Sequence, residues 1–362
     1  MAEVRVFVDG REVRVAAGTV VAAAVAVAGR ALWHRHLLRM PGDDRWSAAS
    51  AGLPDDLYGW NAGGDTMTYP VFDVLVVGAG PAGLAAAATA VRAGGHVGLL
   101  DDNPAPGGQI WRTATTGPAG RWVRAARRNG VILLSRTRVI APLGPGVLLA
   151  ETDEAALELR YRRLVLATGA RERFLPFPGW TLPGVMGAGG LQALVKGGLP
   201  IAGKRVVVAG SGPLLLAVAS YLRSKGADVR LIAEQTPWAG LASFARAVLR
   251  HPAKIAQAAG FSRLLAVPFR AGCWVTHAHG EGRLEAVSLT VNGTAWSERI
   301  DYLACGYGLV PNVELPAAFG CNVVDGAVQV DAWQQTSVAQ VYAVGELTGI
   351  GGVDAALREG RI

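Results

Sequence analysis

With 362 residues, the chain has room for two or three cored domains, and its apolar half (51%) and 48 glycines suit an α/β protein rich in tight βα turns. The net charge of +7 comes from scattered basic residues with no interleaved aromatic platform, so nucleic acid is not an expected partner. No apolar run reaches the roughly 18 residues of a membrane span; the longest early one, TVVAAAVAVAG (19–29), is short and lacks a basic start, so the cytoplasm is the expected compartment, with the inner membrane reached only through partners.

In chain order, residues 3–28 read as a strand, an Asp9-Gly10 turn, a second strand and a helix opening near Gly18-Thr19. Residues 30–66 show no clear periodicity. From Met67 the texture changes: VFDVLVVGAG is a buried strand running into a glycine turn, PAGLAAAATAVRAGG an alanine-rich helix, and HVGLLDD the next strand, which together make a βαβ unit. A loop, NPAPGGQIWR, precedes the basic helix RWVRAARRNG, whose charges read as a solvated face. Short alternating segments fill 131–168 and end in YRRLVLATGA. From Lys204 a second βαβ unit repeats the first: KRVVVAGSGPLLLAVASYLRSKGADVRLIAE. A helix is expected around 240–258 and strands around 262–300. The last segment, VYAVGELTGIGGVDAALREGRI, reads as a strand, a glycine-rich turn and a helix still unfinished at Ile362.

The spacing Gly78, Gly80, Gly83 between a strand and a helix is a dinucleotide fingerprint. The first glycine permits the tight turn, the second lets the backbone approach a pyrophosphate, and the third lets the helix pack on the strand. The helix N-terminus then offers N–H groups and a partial positive charge to the phosphates. Asp101-Asp102 ends the following strand roughly 20 residues on, where a carboxylate accepts ribose hydroxyls and repels a 2′-phosphate. In the second unit Gly210 and Gly212 are present, but the third position is Leu215, which should hold the helix off the strand and weaken or reshape the pyrophosphate seat. Glu234 takes the ribose-acid position there. NAD(H) and another adenine nucleotide both stay open for this second site.

Other chemistry is sparse. Cys273, Cys305 and Cys321 form no CxxC and read as buried apolar residues, so a thiol relay is not expected. His277 and His279 alternate on a strand beside a glycine turn and read as surface, with no metal site. No catalytic residue is assigned.

LVLATGA (164–170), GYGLVPNVEL (306–315) and TSVAQVYAVGE (336–346) resemble further signatures of the two-dinucleotide-domain flavoproteins. That resemblance implies FAD in the first site, held by Gly78, Gly80, Pro81, Ala82, Gly83, Asp101, Asp102, Gly108, Gln109, Thr168, Gly169, Gly345 and Glu346, with Glu346 on the ribitol chain. It implies an α/β fold with two Rossmann-like domains: an N-terminal appendage (1–66), an FAD domain in two segments (67–175 and 301–362), and a second nucleotide fold between them (176–300). More narrowly, LLDDNPAPGGQIWR, LATGARERFLPFPGWTLPGVMGAGGLQALVK, AGSGPLLLAVASYL and ELTGIGGVDAALREGRI look like the FAD subunit of multi-subunit amine dehydrogenases, the group of hydrogen cyanide synthase, opine oxidases and dye-linked proline or hydroxyproline dehydrogenases. Leu215 is itself typical of that group. The resemblance implies an electron-transferring flavoprotein with two kinds of partner subunit, one amino-acid-oxidase-like and one a small [2Fe-2S] ferredoxin-like protein. Members of the group usually continue past the final helix.

VRVFVDGREVRVAAGTVVAAAVAVAG resembles the start of that [2Fe-2S] partner and reads as a ferredoxin-like remnant. A cluster needs four cysteines, and 30–66 contains none, so no iron–sulfur cluster is expected in this chain. A frameshift would account for the loss: LPDDLYGWN (53–61) can be encoded so that the next frame gives Cys-x-Thr-Thr-Cys-Thr-Asp-Gly. Arg171 is the one charged residue that motif places near the flavin, and beside Glu172 it reads as a structural ion pair. A self-sufficient NADH-dependent reductase of a ferredoxin or small acceptor, and a scaffold subunit with a structural nucleotide site, remain as rival readings.

Overall fold

The structure, a computed structural model, describes the strands Glu3–Val8 and Arg11–Ala16 and residues 69–112, 117–248 and 266–362. The helix expected near Gly18-Thr19 and the whole of 30–66 lie outside the described residues. The chain divides into two compact units, one comprising Met1–Val71 and Thr137–Arg160, the other Phe72–Arg136 and Tyr161–Ile362.

In the first unit, β1 (Glu3–Val8) and β2 (Arg11–Ala16) form the expected antiparallel hairpin, with Val6 opposite Val13.

The second unit opens with β3 (Phe72–Val77), α1 (Pro81–Arg92) and β4 (Val97–Asp101), the βαβ unit read from the sequence. After α2 (Gly117–Arg128) comes β5 (Ile132–Ser135). Arg121, Arg124, Arg127 and Arg128 are exposed on α2, while Ala126 is buried, which is the solvated basic face expected.

Two strands then belong to the first unit, β6 (Arg138–Gly144) and β7 (Val147–Glu151). β8 (Ala156–Leu166) follows, and its residues up to Arg160 belong there too. These strands pair antiparallel with one another, Leu148 opposite Leu159.

From Tyr161 onward β8 is parallel to β3, and the order β5-β4-β3-β8 makes a parallel sheet. Its strands are apolar runs, as a parallel sheet buried on both faces requires; Leu75, Leu99, Leu100, Leu164 and Leu166 are fully buried.

The chain leaves this sheet through β9 (Ala170–Glu172) and builds a second parallel sheet. Its elements are β10 (Val185–Gly187), α3 (Ala188–Lys196), β11 (Arg205–Gly210), α4 (Leu214–Ser224), β12 (Asp228–Glu234), α5 (Trp238–Val248) and β13 (Phe269–Ala271). An antiparallel sheet of β14 (Cys273–His279), β15 (Ala286–Val291) and β16 (Thr294–Arg299) follows, then β17 (Tyr302–Gly306). β17 lies between β10 and β11 in the order β10-β17-β11-β12-β13. The boundary expected at 300/301 is thus corrected. Leu303, Ala304 and Cys305 are buried between helices and sheet as a strand of the second nucleotide fold.

β18 (Leu309–Pro311) pairs with β9 and leads back. After α6 (Glu314–Ala318) and the small hairpin β19 (Val323–Val324) and β20 (Ala327–Val328), β21 (Val341–Ala343) joins β8, and α7 (Val353–Glu359) packs on α1. Among the described residues, no helix is long and apolar enough to cross a membrane.

Leu215 corrects a second expectation. It is fully buried in the core formed with Leu191, Val206, Val208, Leu222 and Ile232. Its room comes from Gly306, where a Cβ would stand 2.9 Å from Leu215 Cδ2. In the first nucleotide fold the small residue is on the helix: a Cβ on Gly83 would come 3.3 Å from that of Ala167. The glycine has moved from helix to strand, and α4 begins after Pro213 instead of at it. Leu215→Ala should therefore cost about 2–5 kcal/mol, the range for emptying a core leucine site. Denaturant unfolding of wild type and variant checks this; a loss well under about 1 kcal/mol would mean that Leu215 holds nothing together.

Candidate nucleotide sites

The first fingerprint loop is shaped by backbone contacts. Gly78 has φ +102°, where a Cβ would also run into the carbonyl oxygen of Ala167. A Cβ on Gly83 would collide with the carbonyl oxygen of Gly78. Gly80 is different: it is the N-cap of α1 with no side-chain cap, and nothing lies within 4 Å of where its Cβ would be. Pro81 takes the first helical position, where its missing N–H costs nothing. No acid stands in the first turn, so the helix N-terminus keeps its positive end for an anion.

Other predicted residues converge here. Gly107 N donates to Ala79 O (2.8 Å), and a Cβ on Gly108 would stand 3.0 Å from Gly80 Cα, so the GGQ loop folds over the glycine turn. Thr168 follows the Ala167 that closes on Gly78. Asn312 holds this turn: its Nδ2 donates to Thr168 O (2.9 Å) and its N to Gly169 O (3.0 Å). Gly345, in the 3-10 turn Gly345–Leu347, packs against Ala82, with Cβ atoms that would be 2.7 Å apart. Glu346 is half-buried, makes no side-chain hydrogen bond among the described residues, and burial raises its pKa. Gln109 is exposed beside the loop; with Arg112, Met186, Gly190, Leu194 and Leu199 it lines an open cavity of about 630 Å³.

The two acids divide. Asp101 is 6% exposed and turned inward, with Oδ2 accepting from Ala79 N (2.6 Å) and Oδ1 from Asn103 N (2.8 Å). Asp102 is exposed and accepts from Asn103 Nδ2 (2.8 Å).

The second loop follows the same plan with a different outcome. Gly210 has φ +150°, and its Cβ would run into Gly306; Gly212, like Gly80, has open space beside it. Glu234 is 2% exposed, and its Oε2 accepts from Gly212 N (2.8 Å) and its Oε1 from Thr236 N (2.8 Å). One methylene longer than Asp101, it reaches one residue further along the loop. The N–H that would meet a phosphate is already bonded.

Arg171 does not pair with Glu172. Its ion pair is with Glu314 (2.6 Å), both side chains largely exposed, and its NH1 also donates to Asn312 Oδ1 (3.1 Å). Glu172 instead accepts from Gly189 N (2.7 Å) and Gly190 N (2.9 Å), capping α3, where two free N–H groups outcompete a guanidinium in water. The three cysteines are buried, and burial pushes the Cys305 thiol up to about 12. His277 and His279 are exposed and stacked (4.9 Å), with His279 Nε2 bonded to Ser288 Oγ (2.7 Å). No cluster of three metal-ligating side chains occurs among the described residues. Asn312 and the Glu172 cap escaped the sequence reading because their partners lie far along the chain.

The pyridine nucleotide-disulphide oxidoreductase family matches residues 72–360. Hydrogen cyanide synthase subunit HcnB of Pseudomonas aeruginosa is 33% identical over 319 residues, 80% of this chain and 69% of that one. An opine oxidase subunit of Rhizobium meliloti is 33% identical over 81% of this chain and 70% of its own. Among solved structures, Lactococcus lactis thioredoxin reductase aligns with a TM-score of 0.62 and 20% identity, over 80% of this chain and 95% of that one, a likeness of fold.

Gly80 and Gly83 make a paired test. Gly80→Val puts a branched side chain into open space, so the fold should survive while a bound dinucleotide is lost. Gly83→Val meets backbone and should unfold the protein. Thermal melts and nucleotide content check both; a Gly80→Val chain that retains full nucleotide would move the site elsewhere.

Proposed function

The chain belongs to the pyridine nucleotide-disulphide oxidoreductase family, and from that premise we propose that it is the FAD-dependent, electron-transferring component of a multi-subunit amine or amino-acid dehydrogenase acting on CH–NH or CH–NH2 donors. The observation that carries this is the inequality of the two nucleotide folds. The first presents an uncapped helix N-terminus beside Gly80, while in the second Glu234 holds the Gly212 N–H. Electrons in this reading come from a partner and not from NADH bound at the second fold.

The residues of the first fold suit FAD. Gly80 leaves space for the pyrophosphate, and the N–H groups of Gly80 and of the first helical turn after Pro81 face it, with Gly78, Ala82 and Gly83 shaping the turn. Asp101 holds the glycine loop in shape, and in this reading the exposed Asp102 is the carboxylate that accepts ribose hydroxyls. Glu346, with no described partner, offers its carboxylate to the ribitol hydroxyls. Thr168, Gly169, Gly108 and Gln109 complete the seat. Bound there, FAD supplies a ring that takes up electron pairs and passes them on.

Both 33%-identical relatives are named as subunits, of a hydrogen cyanide synthase and of an opine oxidase. That supports partner subunits; the sequence resemblance makes one of them an amine-oxidising, amino-acid-oxidase-like protein and the other a small [2Fe-2S] ferredoxin-like protein to receive electrons. Fixing an amino-acid carboxylate generally takes an arginine at the flavin. Arg171, the motif candidate, is held by Glu314 and Asn312.

The isolated chain should therefore bind FAD yet stay oxidised when mixed anaerobically with proline, hydroxyproline, glycine or opines. Reduction by a donor should appear once an amino-acid-oxidase-like partner is added. Stopped-flow absorbance at the flavin band checks this. Rapid bleaching by an amine alone would make the chain a self-contained oxidase, and rapid bleaching by NADH a self-sufficient reductase.

A further inference from the structure

One carboxylate at the glycine turns of this protein differs from the rest. Asp101 folds back on Ala79 N, Glu234 on Gly212 and Thr236 N, and Glu172 on Gly189 and Gly190 N. Each is satisfied by backbone. Glu346, in the Gly345–Leu347 turn, is not, although burial penalises its charge as well. The turn has another acceptor. Glu359 Oε2, from the last residue of α7, accepts from Gly345 N (2.7 Å) and from Thr348 Oγ1 (3.1 Å). Thr348 Oγ1 also lies 3.0 Å from Gly345 O, sharing its one proton between that carbonyl and Glu359, so the turn is tied to the end of α7 through Gly345 N and Thr348 Oγ1.

The backbone of Glu359 is itself fixed. A Cβ on its neighbour Gly360 would drive into the carbonyl oxygen of Ala82 and stand 2.9 Å from Ala85 Cβ, so α7 ends hard against the first turns of α1. Gly345 meets that same helix at Ala82. Three segments close on one another with nothing larger than an alanine methyl at these contacts, and Glu359 supplies the hydrogen bond that sets the third.

We propose that Glu359 is a positioning residue of the FAD seat: by taking the Gly345 N–H it keeps the Glu346 carboxylate turned out for the hydroxyl groups of the ligand. This rests on the FAD reading above. Without Glu359 the Gly345 N–H is a buried donor in need of an acceptor, and Glu346, the next residue in the chain and without a side-chain hydrogen bond of its own among the described residues, would be drawn inward as Asp101 and Glu234 are.

The test is a double-mutant cycle on FAD affinity, measured by titrating flavin-stripped full-length chain. Glu359→Ala and Glu346→Ala should each weaken FAD by about tenfold, and the double variant should be no weaker than the worse single within about threefold, because both act through one carboxylate. Glu359→Gln keeps an acceptor oxygen and should stay within about threefold of wild type. In the flavin-free chain, the Gly345 amide should exchange with deuterium about tenfold faster in Glu359→Ala and near the wild-type rate in Glu359→Gln. Losses that multiply in the double variant, or a Glu359→Gln as weak as Glu359→Ala, would show a merely structural residue and overturn the proposal. A wild type that binds FAD and a Glu359→Ala that binds it equally well would overturn this proposal alone. A wild type that takes up no FAD would overturn the FAD reading, and this one with it.

Discussion

The approach of α1 to β3 at Gly83 is the contact on which the first nucleotide fold depends. The carbonyl oxygen of Gly78 occupies the place where a Cβ on residue 83 would be, so the helix starts directly against the strand it leaves. That closeness aims the helix N-terminus at the space beside Gly80, where an anion gains from unpaired N–H groups and from the helix dipole. The other segments are fitted to the same contact. Ala167 closes on Gly78, Gly108 on Gly80, Gly345 on Ala82 and Gly360 on the Ala82 carbonyl. Small residues recur at these positions because backbone, not side chain, forms the walls.

The second fold shows what happens when that contact is built differently. With Leu215 on the helix and Gly306 on the strand, the interface is filled by a side chain. The loop still turns at Gly210 and Gly212, but Glu234 reaches Gly212 N, where Asp101 in the first fold reaches only Ala79 N. A single methylene decides which N–H is consumed. Two copies of one βαβ plan thus diverge, one uncapped at its phosphate-facing amide and one holding its own carboxylate there. The proposed division of labour, with electrons arriving through a partner, follows from that divergence.

Much of this was legible in the chain. Continuous apolar strands such as FDVLVV and RVVVAG announce parallel sheets, and glycine spacing after each announces the nucleotide turns. The motif segments around Thr168 and Glu346 reached the same site because the order of elements brings β8 and β21 together. What was not legible depends on pairing across long sequence distances. YLACG reads equally well as the last strand of one sheet or the first of another, and only its place between β10 and β11 assigns it. Arg171 sits beside Glu172 in sequence, but successive residues of a strand face opposite sides, and the two side chains found different partners. Leu215 looked like a defect until Gly306 faced it. Spacing places Asp101 and Asp102 at the strand end without saying which one turns inward. Glu359 carries no motif signal, since its partner is a backbone amide.

The central claim is that the first nucleotide fold is an FAD seat. Its most direct measurement is the nucleotide released when the purified full-length chain is denatured, separated by chromatography and quantified against protein. The account predicts FAD in stoichiometric amount. Release of a nicotinamide nucleotide in place of FAD, or a colourless chain that takes up no FAD when it is supplied, would contradict it.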